Sequence, residues 1–409
     1  MGVFIEPRET RYETMSQGVL SDVKVLDLSR VLAGPWAAQT LADMGADVIK
    51  VEQPDVGDDT RKWGPPFAQD EHGRLLNDSA YFMCANRGKR SVCIDFKSEQ
   101  GQDDIKRLAS SCDVLIENFT VGQLKKYNLD YSSLSKINPK LVYCSITGFG
   151  QTGPSADRPG YDFMIQGMSG LMSVTGEKGG TSTKVGVAVT DVLTGLYASV
   201  AILSALHERK SSGLGQHIDL ALYDVAVASM ANQATNYLIG GIVPQTMGNA
   251  HPNIVPYQSF VTKKGECIVA VGNDSQFKRF CSALGKPELA DQASFKTNQD
   301  RVSNRDELIA MISRIMLDKT AAQWFEVLES HQVPYAPVNN MQEVFEDPQI
   351  KHRKMTLQMT HAEAGRIDLV ANPINFSRTP IQYQTPPPTL GEHTDEVLNP
   401  TKDKSQVSG

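Results

Sequence analysis

Asp191 is the acid best placed to act as a nucleophile; it closes the segment Gly186-Val187-Ala188-Val189-Thr190-Asp191. Val185–Val189 predicts a short strand, and after it Val192, Leu196, Val200 and Leu203 recur at helical spacing. With Thr190 as N-cap, Asp191 falls in the first helical turn, where the positive end of the helix dipole favours an ionised carboxylate by about 0.3–1 kcal/mol. One turn on, Gly195 is expected to leave space over the carboxylate for a reactant. A carboxylate so placed is able to attack an acyl carbon and form a covalent intermediate. An ordinary first-turn acid occupies the same position, and the spacing leaves both readings open.

Other chemistry-bearing residues carry less. Gly148-Phe149-Gly150-Gln151-Thr152-Gly153 has dinucleotide-loop spacing, but Pro154, Asp157, Pro159 and Gly160 follow it. A helix must start inside such a motif for its amides to meet a pyrophosphate, so a loop is expected here and NAD binding is not. Asp162, after this loop, is expected as an N-cap that fixes it. Arg87-Gly88-Lys89-Arg90 offers charge for phosphates, but a run of this kind is more often a solvated turn. His251, His352 and His361 lack metal-ligand spacing, and the six cysteines form no C-x-x-C pair, so neither zinc nor a redox dithiol is expected. No G-x-S-x-G elbow is present, which excludes one route to serine hydrolysis.

The elements that must position these groups alternate. Val23–Leu28, Ala46–Val51, Ser91–Phe96, Val114–Glu117 and Leu141–Ile146 predict strands; Trp36–Met44, Gln100–Ser111 and the Leu124–Ile137 region predict helices between them. This rhythm implies an α/β fold with a Rossmann-like parallel sheet covered on both faces, whose ligands bind outside the carboxyl ends of the strands. Long helices are expected over Asp191–Arg209 and Ile218–Tyr237. A hairpin at Ser259–Lys263 and Cys267–Val271, then helices at Ser275–Leu284, Arg305–Met316 and Thr320–Ser330, suggest a smaller α+β domain. The expected organisation is a large domain over 19–225, a linker helix at 226–246, the small domain at 247–338, a return linker with the rest of the large domain at 339–400, and a disordered tail at 401–409.

A net charge of -7 disfavours nucleic acid as a bulk partner and gives no polybasic membrane signal. No run of eighteen apolar residues predicts a membrane span. Glu6, Glu9 and Glu13 near the start argue against a secretory or transit signal, so the cytoplasm is the expected location.

Taken in order, several motifs resemble the class III CoA-transferase family, which includes the formyl-CoA and carnitine CoA-transferases and, as a branch, the α-methylacyl-CoA racemases. They are Val25-Leu26-Asp27-Leu28 leading to Ala33-Gly34-Pro35, Leu41-Ala42-Asp43-Met44-Gly45-Ala46-Asp47, Asn86-Arg87-Gly88-Lys89-Arg90, Asp113-Val114-Leu115-Ile116-Glu117-Asn118-Phe119 and Leu390-Gly391-Glu392-His393-Thr394. Trp63-Gly64-Pro65-Pro66-Phe67 and Ile254-Val255-Pro256-Tyr257 lie nearest the branch that acts on dicarboxylates, the succinyl-CoA:glutarate-type enzymes. The resemblance implies that Asp191 is the nucleophile. It also implies that coenzyme A, as part of an acyl-CoA substrate and not a tightly bound cofactor, lies along Leu32, Ala33, Gln53, Ile94–Lys97, Asn118, Phe119, Lys126 and Arg158–Tyr161. Several relatives carry arginine where Gln53 and Lys126 stand, and the tetraglycine loop of the formyl-CoA enzymes is absent. Arg61, His251 and Asn253 are candidates for the distal carboxylate of a small dicarboxylic acid, with Gly148 and Gly248 near the oxyanion. The family fold implies a homodimer of two interlocked, ring-like subunits. In the racemase branch a histidine stands where Tyr161 is; phenols hold their proton to about pH 10, which disfavours that chemistry. A non-catalytic CoA-binding paralogue is the other alternative.

Overall fold

The computed structural model describes residues 18–399, and the tail expected at 401–409 lies outside them. Two compact units form. Among the described residues, the first runs to Ile165, from Ala188 to Ser229, and from Arg353 onward; the second comprises Gln166–Val187 and Met230–His352.

The first unit is built on six parallel strands: β1 (Lys24–Asp27), β2 (Asp47–Glu52), β3 (Lys89–Cys93), β4 (Val114–Glu117), β5 (Val142–Thr147) and β6 (His217–Ala221). Their spatial order is β3-β2-β1-β4-β5-β6. The order reverses direction between β1 and β4, and a crevice for ligands opens at such a switch point. Alternate side chains of each strand enter opposite layers. Val25, Val48, Ile116, Val142 and Cys144 pack under α1 (Ala33–Asp43) and α3 (Val189–Ser212). Leu26, Ile49, Val92, Leu115 and Tyr143 pack with Ile105, Leu108 and Leu134 on the other face. Each such buried aliphatic side chain stabilises the fold by about 1.5–3 kcal/mol.

Two expectations fail. Ile218 does not open a helix: His217–Ala221 is the sixth strand, and helices follow at Leu222–Ala228 and Ala231–Gly240. The alternating burial of the strand runs straight into helical periodicity, which hid the boundary. Val185–Val189 is not a strand either; no strand pairs with it, and α3 already begins at Val189. Among the described residues α3 is the one helix long and apolar enough to cross a bilayer, yet Thr194, Ala198, Ile202 and Ala205 are buried in the unit's core.

The second unit holds a hairpin of Tyr257–Val261 and Glu266–Ala270, joined through Thr262 and Gly265. Helices Asp274–Ala283, Arg305–Met316 and Ala321–Ser330 cover it around Phe277, Phe280 and Trp324.

Candidate active site

The loops after β1 and β4 meet at the switch point. The Asn118 side chain bridges both backbone groups of Arg30: its Oδ1 accepts from Arg30 N at 2.9 Å, and its Nδ2 donates to Arg30 O at 2.7 Å. Val31 sits between them at φ 71°, a left-handed conformation that costs a β-branched residue about 1–3 kcal/mol. Surrounding bonds hold it there. Val31 N donates to Asp58 at 3.2 Å, and Asp58 in turn accepts from the buried Lys50 ammonium at 2.9 Å. Lys89, also fully buried, donates to Asp27, Asn86 and the Pro35 carbonyl, each at 2.9 Å. Desolvation pulls its ammonium down to about 8, against the opposing pull of Asp27. This network fixes the entry to α1.

A cleft of about 160 Å³ opens beside these loops. Leu32, Ala33, Asn118, Phe119, Arg158, Tyr161 and Asp191 all line it, together with Thr147 and Gly148 from the end of β5. An adjoining recess shares Arg30, Phe119 and Gln123 with the cleft and is lined also by Gln53, Ile94 and Lys97. Lys126 stands apart, exposed on the short 3-10 turn Leu124–Tyr127. Arg30 lines both hollows, and the sequence had given no sign of it.

Gly148 and Gly160 let the chain return to the cleft after the loop between them. A Cβ on Gly148 would lie 2.5 Å from the Gly160 Cα, a contact no side chain permits. As expected, no helix starts inside the glycine motif; the next is α2 (Asp162–Met168).

Asp191 lies in the first turn of α3 and is 9 % exposed. The cap differs from the expectation. Ala188 is the N-cap residue and offers no side chain, while Thr190 is already helical. The capping oxygen comes from Asp162, which accepts from Thr190 N at 2.8 Å, from the Thr190 hydroxyl, and from Asp191 N at 3.4 Å. Asp162 thus caps α3 rather than merely fixing its own loop. Burial pushes the Asp191 carboxyl up to about 7, and the nearby Asp162 charge adds to the effect. Tyr81 lies close enough to feel both acids, and with burial they raise its phenol to about 12.

Gly195 does not open space above the carboxylate. A Cβ there would lie 2.7 Å from the Ala33 carbonyl and 3.0 Å from Trp36 Cβ, so the missing side chain lets α1 pack directly on α3.

Arg61 is unsuited to a substrate carboxylate. It is buried, with Nε and Nη2 paired to Glu52 at 2.8 and 2.7 Å, Nη1 to Asp78 at 2.6 Å, and a further bond to the Pro388 carbonyl. Four of its five donors are thereby committed, and its plane lies 3.7 Å over Phe82. His251 and Asn253 belong to the second unit. His251 Nδ1 accepts from Asn253 N, and the Asn253 side-chain oxygen accepts from Asn232 and Asn236. Gly248, also in that unit, donates its N–H to the Gly176 carbonyl at 2.9 Å, so that donor is already used.

The family model for CoA-transferase family III matches residues 20–394. The succinate–glutarate CoA-transferase of Agrobacterium fabrum is 50% identical over 93% of this chain and 94% of its own length. The human succinyl-CoA:glutarate CoA-transferase is 44% identical over 93% of this chain and 85% of its own. The crystal structure of a CAIB/BAIF family protein from Brucella suis superposes with a TM-score of 0.81 at 48% identity, covering 93% of this chain and 98% of that one. The chain belongs to CoA-transferase family III.

Proposed function

We propose that this enzyme transfers CoA from succinyl-CoA to a small dicarboxylic acid, with Asp191 as the nucleophile. The observation that carries the reading is the buried Asp191 carboxylate at the start of α3, facing a cleft formed by the switch-point loops. The names of the succinyl-CoA-dependent relatives support the donor and the class of acceptor.

In the first step an Asp191 oxygen attacks the thioester carbon. The C–S bond breaks, its electron pair leaves on the CoA thiolate, and a mixed anhydride remains. The thiolate then attacks the Asp191 carbonyl carbon, forming an aspartyl–CoA thioester and releasing the donor acid as its carboxylate. The acceptor carboxylate reverses both steps. No net proton moves, so no dedicated base is required. A carboxyl raised to about 7 suits this exchange. It is a stronger nucleophile than an ordinary aspartate, and it stands nearer in basicity to the thiolate it displaces. Arg30 and Arg158 supply cationic charge at the cleft for phosphates, and the Gly148 backbone, which lines the same cleft, is the candidate oxyanion donor.

A second copy of the chain completes this reading. Leu196, Tyr197 and Val200 of α3 are exposed, as are Leu238 and Ile239 of the Ala231–Gly240 helix, and apolar faces of this kind call for a partner subunit. Light scattering should give twice the chain mass.

The test is direct. Incubation with succinyl-CoA, rapid quenching and mass analysis of the peptide bearing residue 191 should reveal a CoA adduct that Asp191→Ala lacks. Exchange of the α-proton with no adduct would instead establish the racemase chemistry. Tyr161, 60 % exposed at the cleft mouth, gives that alternative no histidine base.

A further inference from the structure

Glu117 ends β4 directly below the turn that floors the cleft. Although buried, it has no cation paired with it among the described residues. Its Oε2 accepts the Phe119 N–H at 2.8 Å, and the Ser145 hydroxyl beside it favours the ionised carboxyl. Ser145 lies opposite Glu117 on β5, and its oxygen is also 2.9 Å from His217 Nε2 on β6. The His217 ring is exposed on one side and stacks on Tyr131 at 5.2 Å on the other. Glu117, Ser145 and His217 therefore stand in a row on adjacent strands, from the backbone of the Asn118–Phe119 turn to the exposed His217 ring.

We propose that Glu117 is a positioning residue for the CoA cleft. Its carboxylate holds the Asn118–Phe119 turn in binding geometry, and its charge is exchanged with solvent through Ser145 and His217. The inference rests on the CoA-transferase reading of the cleft.

Inward transfer breaks the His217 Nε2–H and Ser145 O–H bonds and makes a new Ser145 O–H and a Glu117 O–H. Imidazolium becomes imidazole, carboxylate becomes carboxylic acid, and the serine hydroxyl is regenerated. The acid form is a weaker acceptor for Phe119 N–H, because hydrogen bonds to an ionised acceptor are about twice as strong. Tyr143 and Cys144 on β5 feel the Glu117 charge, and Asp219 and Asp130 flank His217. Burial raises the Glu117 carboxyl to about 7 and depresses His217.

The test is calorimetric binding of free CoA to the full-length protein between pH 6 and 8.5. Glu117→Gln keeps the shape without the charge and should weaken binding about tenfold at pH 8, while matching wild type near pH 6. In turnover it should raise the KM for acyl-CoA and leave kcat and the KM of the acceptor acid unchanged. His217→Gln donates permanently to Ser145, which keeps Ser145 pointed at Glu117, so the midpoint of the pH dependence should fall. Ser145→Ala provides a second break in the path should Glu117→Gln fail to fold. Binding by Glu117→Gln or Ser145→Ala that tracks wild type at every pH overturns the proposal, as does loss of kcat with CoA affinity intact. A wild-type protein that binds no CoA overturns the transferase reading as well, whereas lost transfer with intact pH-dependent binding counts against that reading alone.

Discussion

Replacing Asp191 with Asn should do more than stop transfer. It should change how stability responds to pH. The native carboxyl is raised to about 7 from 3.8, so it holds its proton more tightly than the same group in the unfolded chain. Its contribution therefore favours the native state in full below pH 3.8 and is lost as pH rises through about 7. Three pH decades at 1.36 kcal/mol each give about 4 kcal/mol for wild type between pH 4 and 8. Asn cannot ionise and loses none of it. Urea denaturation of the two proteins at half-unit pH steps measures the difference directly. Any constant penalty from the new amide cancels, because only the slope counts. The stability gap should move in favour of Asp191→Asn by up to about 4 kcal/mol across that range. A gap independent of pH would refute the claim that Asp191 is desolvated and set against a second acid, and with it the argument for an activated carboxylate.

Three further outcomes follow from the same geometry. Asp162→Asn keeps an oxygen to cap α3 but removes the neighbouring charge, so the acidic limb of kcat/KM for succinyl-CoA should shift to lower pH; an unchanged limb would exclude Asp162 as a source of the raised carboxyl. Gly195→Ala drives a methyl to 2.7 Å from the Ala33 carbonyl and should cost about 1–3 kcal/mol in denaturant midpoints, with transfer lost as α1 tilts away from the cleft. Arg61→Met leaves Glu52 and Asp78 buried without their cation and should destabilise the protein by about 3–5 kcal/mol. If it instead raises only the KM of the acceptor acid, Arg61 contacts substrate after all.

The strands of the central sheet were readable because parallel strands buried on both faces are short apolar runs between turn residues; Val114–Glu117 begins and ends where the pattern does. The edge strand β6 was hidden because one of its faces is open, leaving alternation too brief to separate from the helix that follows. Leu32, Ala33, Asn118 and Phe119 were legible through their motifs, since each sits just past a strand end where the switch point requires it, whereas Arg30 in the same turn was not. What the sequence concealed was long-range. Asp162 reaches a helix start 28 residues away, and nothing near Thr190 signals that its cap is borrowed. A glycine announces a missing side chain but not its neighbour, so Gly195 read as space for a substrate when a second helix fills it. Arg61 looked like a free cation because its three partners arrive from separate segments.

The free edge of β3 is closed by the far end of the chain. Gly88 N donates to the Thr385 carbonyl, His393 N to the Ser91 carbonyl and Cys93 N to the Thr394 hydroxyl, while Val397 enters the core beneath. During synthesis on the ribosome, β3 emerges about 300 residues before the segment that covers it. Through that interval a strand edge of unpaired amides and carbonyls is exposed, the form most prone to pair with another nascent chain. Growth at lower temperature or with added chaperone should therefore raise the yield of folded protein. Truncation before Thr385 should send the chain to the insoluble fraction while leaving every residue of the Asp191 cleft in the sequence.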